Sequence, residues 1–106
     1  MGQKQSLIAA AALTGETDTQ KAITLATSIP SDNRADGVDV HVHALSTNSN
    51  AIRLVASDSA TAGILLEPGE HIILENHIVA DDALYLLAAT GDDIEWAAYG
   101  AGNPSV

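Results

Sequence analysis

The chain reads as all-β: one small antiparallel β-sandwich or barrel of about seven to eight short strands, with an N-terminal arm or extra strand. Three observations predict it. Short apolar runs alternate with a period of two, clusters of Gly, Pro, Asn, Asp and Ser break them about every eight to twelve residues, and no 3.6-residue apolar stripe or internal repeat appears. With 106 residues there is room for a single core. Jelly-roll and immunoglobulin-like strand orders both fit, because order depends on long-range pairing. The expected organisation is an arm or first strand over 1–19, a sandwich over 20–100 and a loose tail over 101–106.

The elements follow in order. Leu7 to Leu13 is an apolar stretch read as an N-terminal strand or arm, although its Ala and Leu content also permits a helix over Ser6 to Leu13. With Lys4 before it, the stretch faintly resembles a signal peptide. It is too short for one, however, and Thr14-Gly15-Glu16-Thr17-Asp18 makes a poor cleavage region. Ala22 to Ser28 is the next expected strand, with Ile23, Leu25 and Thr27 on one face. It ends at Pro30, and a polar loop follows through Ser31-Asp32-Asn33 and Asp36-Gly37. Val38 to Leu45 has the cleanest alternation: Val38, Val40, Val42 and Ala44 face one way, and Asp39, His41 and His43 the other. After a turn at Ser46 to Asn50, Ala51 to Ala56 places Ile52 and Leu54 inward and Arg53 outward.

Ser57 to Gly63 reads as a small-residue loop. Ile64 to Leu66 and His71 to Leu74 are joined through Pro68-Gly69, where Pro presets the first central turn position and Gly supplies a positive φ at the second. Ala83 to Thr90 and Ile94 to Tyr99 close the domain, and Gly91-Asp92-Asp93 between them reads as the turn of a terminal hairpin.

Composition excludes several function classes. Hydrophobic residues form 46% of the chain, too many for a disordered acidic tail. Phe is absent and Tyr85, Trp96 and Tyr99 are the only aromatics, so Ala, Ile, Leu and Val must fill a thin core, which favours association with further copies or a larger lattice. Fourteen acidic against four basic residues give a net charge of −10, a field that repels nucleic acid and anionic membranes. Without Cys there is no disulfide, thiolate metal site or thiol nucleophile.

No motif for nucleophilic, phosphate-binding or zinc-protease chemistry occurs, so neither an enzyme nor a cofactor is expected. His41-Val42-His43 is the sharpest local feature: alternation puts both imidazoles on one strand face, where a pair can chelate Zn²⁺ or Fe²⁺. Cupins carry such a strand, and Pro68-Gly69-Glu70-His71 superficially resembles their second motif. The match fails where a Glu is needed, since Ser46, Thr47 and Asn48 follow, and Pro68 and Gly69 stand adjacent with no residue between them. Two solvated histidines on an outer face is the preferred reading, and acidic turns account for Asp81-Asp82 and Asp92-Asp93 better than Ca²⁺ does. Trp96 and Tyr99 fall on opposite faces of a regular strand, one for the core and one free to anchor an interface.

The segments run in the order Ala22-Ile23-Thr24-Leu25, Val38 to Leu45, Asn48-Ser49-Asn50-Ala51-Ile52-Arg53-Leu54, Leu66-Glu67-Pro68-Gly69-Glu70, Leu84-Tyr85-Leu86-Leu87 and Gly91-Asp92-Asp93-Ile94-Glu95-Trp96. That order resembles small β-sandwich structural proteins of tailed bacteriophages. The resemblance spans about residues 20 to 99 and departs at Arg53-Leu54, where an aromatic strand is usual. It implies a virion protein made in the host cytoplasm and carried on the capsid surface, a decoration or cement protein. Its partners would be the major capsid protein or other virion proteins, and its own state a homo-oligomer, with a trimer favoured. A small neck or tail component, or a cupin-like metal-binding sandwich using His41 and His43, are the alternatives. The expected contact residues are Leu7, Ile8, Leu13, Trp96 and Tyr99, with the Leu7 to Leu13 segment adding a strand to a neighbour's sheet edge.

Overall fold

Alternating side chains become a fold only when each strand finds a partner that keeps its apolar face inward. The computed structural model describes residues 5–25, 38–77 and 84–101. They form eight strands: β1 (Gln5–Thr14), β2 (Gln20–Ala22), β3 (Val38–Ala44), β4 (Ile52–Val55), β5 (Gly63–Leu66), β6 (His71–His77), β7 (Tyr85–Leu87) and β8 (Asp93–Ala101). Two four-stranded antiparallel sheets result, one in the order β1-β8-β3-β6 and the other in the order β2-β7-β4-β5. The links β1–β2, β3–β4, β5–β6 and β7–β8 each step from one sheet to the other. That is the jelly-roll order, and it resolves the choice the sequence left open.

The core lies between the sheets. Val38, Val40, Val42, Ala44, Ile94, Trp96 and Ala98 project from the first sheet, and Ile52, Leu54, Leu66 and Leu86 from the second, into one buried cluster. β3 shows why: its residues alternate strictly between buried and half-buried, as a period-two strand with one wet face must.

Several expectations need correction. The segment Gly91-Asp92-Asp93 does not close a hairpin, because β7 pairs with β2 and β4 whereas β8 pairs with β1 and β3. The turn instead crosses between sheets. The strand expected from Ala22 is displaced: β2 ends at Ala22, Ile23 N–H still bonds Leu84 O at 2.9 Å, and the chain then bends as Leu25 N–H bonds Ile23 O at 2.7 Å. Ile23 and Leu25 are nonetheless buried, so their alternation reported burial rather than strand. β6 runs on to His77, while β7 is shorter than expected. Residues 5–14 take the strand form and not the helical one. Ala101, expected in the tail, pairs opposite Gln5. The expectations for 26–37, for Asp81-Asp82 and for 102–106 lie outside the described residues.

One end of the sandwich is latched by its crossing turns. Gly15 N–H donates to Asp92 O at 2.8 Å, and Thr17 and Thr90 exchange backbone-to-hydroxyl bonds of 3.0 Å. Asn48 mimics a strand partner: its Nδ2 donates to Asp93 O at 2.8 Å, and its Oδ1 accepts from Asp93 N–H at 2.7 Å. Asp92, only 3% exposed, accepts from Ser49 N–H at 2.9 Å and from Asn50 Nδ2 at 3.1 Å. Ala44 ties in the fourth turn through Gly69 N–H and Glu70 O, both at 2.9 Å. In that turn Gly69 has φ 87°, and Glu70 N–H closes on Glu67 O at 2.9 Å, as the Pro-Gly pair predicts.

Gly63 serves a different purpose. A β-carbon there would overlap the Leu54 carbonyl oxygen and stand 3.1 Å from Val55 Cγ1. Gly63→Ala is therefore expected to cost about 1–3 kcal/mol by forcing β5 off β4, as overpacking does. Urea denaturation followed by Trp96 fluorescence would measure it, and an unchanged midpoint would refute the close approach.

Candidate interaction face

The same pleat that fills the core decides what the first sheet shows to solvent. Register aligns its outward residues in rows. Ala12, Glu95, His43 and His71 form one, and Ala10, Ala97, His41 and Ile73 the next. Leu7, Tyr99 and Asp39 form a third. Leu7 is 58% and Ile73 45% exposed. His41 and Tyr99 stack obliquely, with ring centroids 4.7 Å apart at 41°. Beside them a groove of about 540 Å³ runs over Leu7, Ala10, Ala12, His43 and Glu95.

Four residues singled out from the sequence thus converge on one surface: Leu7, His41, His43 and Tyr99. The others do not join them. Ile8 and Leu13 point to the opposite side of β1 and pack against the core. Trp96, expected as an interface residue, is 3% exposed between Ala11 and Val42 of the flanking strands. It shares the inward parity of Ile94 and Ala98, so Tyr99 is the aromatic left outside. His71, Ile73 and Glu95 belong to the face and were missed. Only register brings them beside His41 and His43, and register is not written in any one strand.

The face offers ring stacking, apolar contact and imidazole hydrogen bonding. Among the described residues no three His, Asp or Glu side chains are grouped to hold a metal ion. His41 and His43 lie outside the sandwich; among the described residues its buried polar side chains are Asn48 and Asp92, both engaged in the turn latch. Among the described residues no helix is long and apolar enough to cross a membrane.

Comparison of the chain with protein-family models, with curated proteins and with solved structures found no match in any of the three.

Proposed function

We propose that this chain is a virion structural protein of a tailed bacteriophage, a decoration or cement module that seats on the head lattice as an oligomer. The outer face of the β1-β8-β3-β6 sheet carries the reading. In a chain of net charge −10, that face sets Leu7, Ala10, Ala12, Ala97, Ile73 and Tyr99 together, an apolar area suited to a protein partner. The jelly roll supports it by analogy alone, since such double sheets build capsid domains but also lectins and cupins. Among these, the resemblance of the segment order to tailed-phage structural proteins favours the capsid reading. The cupin-like alternative has no support inside the sandwich, where aliphatic side chains and Trp96 occupy the space a metal site would need.

The major capsid protein is the proposed partner. If a major capsid gene lies beside the gene for this chain, heads assembled from that capsid protein should retain the chain on sedimentation, and Leu7→Asp combined with Tyr99→Ala should weaken retention about tenfold or more. Retention on tails or necks alone would replace the head by another virion surface. No retention on any particle would overturn the reading.

A further inference from the structure

A sandwich of two open sheets has four edges, and each is an unfinished ladder of N–H and C=O groups. In this fold three edges are blunted. β2 is three residues long and β5 four, and β6 carries the exposed Glu75. β1 differs: it has ten residues, none charged and none proline, and among the described residues its only strand partner is β8. Charge sharpens the contrast. Two copies of a chain with net charge −10 repel each other wherever acids meet, so close self-contact needs an uncharged stretch.

We propose that two copies of this chain pair antiparallel through their β1 edges, making one eight-stranded sheet around a two-fold axis. This deepens the assembly reading above, from which it takes only the expectation of an oligomer. The pleat restricts the register. By register Ala10 and Ala12 share the outer face, and Ala9, Ala11 and Leu13 the core side, where Ala11 stays exposed at the sheet edge; paired residues must share a face. A two-fold register therefore sets an alanine opposite its own copy: Ala10, Ala11 or Ala12. The extra residue at Ile8, where the β1–β8 register shifts, bounds the regular stretch to Ala9–Thr14. Small side chains there let two backbones approach on both faces. Each chain has one such edge among its described residues, so pairing closes at two copies and builds neither the trimer that the phage resemblance implied nor a fibre. With the axis perpendicular to the sheet, both outer faces point the same way.

Light scattering on the eluting full chain tests this, with twice the 10.9 kDa chain mass expected. Ala12→Glu should weaken the dimer about tenfold or more by bringing like charges near the axis, while Leu65→Glu on the β5 edge should leave it intact. The chain has no cysteine, so Ala10→Cys, Ala11→Cys and Ala12→Cys can each be oxidised separately. At least one should give a disulfide-linked dimer, which keeps the test decisive if Ala12→Glu fails to fold. A monomer at about 100 μM, a three-chain mass, or a dimer broken by Leu65→Glu and spared by Ala12→Glu would overturn the pairing. A monomer that still sediments with heads would overturn the pairing and leave the lattice reading standing; a dimer that ignores every particle would do the reverse.

Discussion

Trp96→Ala is expected to cost about 4 kcal/mol, the loss that removing a buried indole usually brings. The side chain is 3% exposed, and its neighbours on the same face are Ala11 and Val42, too small to collapse into the space. A domain of this size has only about 5–15 kcal/mol of stability in total, so the variant should sit near the edge of folding. Trp96→Phe keeps most of the volume and should cost about a third as much. Far-UV circular dichroism through a urea titration reads both variants without needing the indole. Equal, small losses would mean that Trp96 is not a core residue and would return it to the surface.

Asp92→Ala comes next, at about 3 kcal/mol, because its carboxylate holds two bonds to the β3–β4 turn from a buried position. Ser49 N–H and Asn50 Nδ2 lose their acceptor, and of the side-chain ties between the β7–β8 crossing and the β3–β4 turn the Asn48–Asp93 pair remains. Asp92→Asn retains one acceptor oxygen and should cost about half as much. For a chain of this length the Ala variant should melt roughly 12–20 °C lower. Calorimetry of the three proteins decides the matter: a surface turn acid would leave all three with one melting temperature.

Asp92 also shows where sequence reasoning stops. Gly91-Asp92 has turn chemistry, and the turn is there, but that chemistry is identical whether the flanking strands pair or part to separate sheets. The partners of the Asp92 side chain, Ser49 and Asn50, lie more than forty positions away and leave no local mark. By contrast β3 was legible at once, since burial on one face forces period two on its residues. β4 and the Pro68-Gly69 turn were legible for equally local reasons. β1 was ambiguous because alanine serves helix and strand alike, and its partner β8 decides. The candidate face was legible residue by residue, in Leu7, His41, His43 and Tyr99. That these form one surface needed the register of four strands.

The place of β8 governs when the first sheet comes into being. It is the last described strand, yet it lies between β1 and β3, so neither can complete its pairing until residues 93–101 have left the ribosome. Until then the uncharged β1 lacks the one strand partner it has among the described residues. The first described strand is then held by the last described one, so folding is gated by the longest loop closure in the described chain and should be slow for its size. Newly made chains are correspondingly exposed to premature strand exchange with one another, a hazard that ends when β8 arrives.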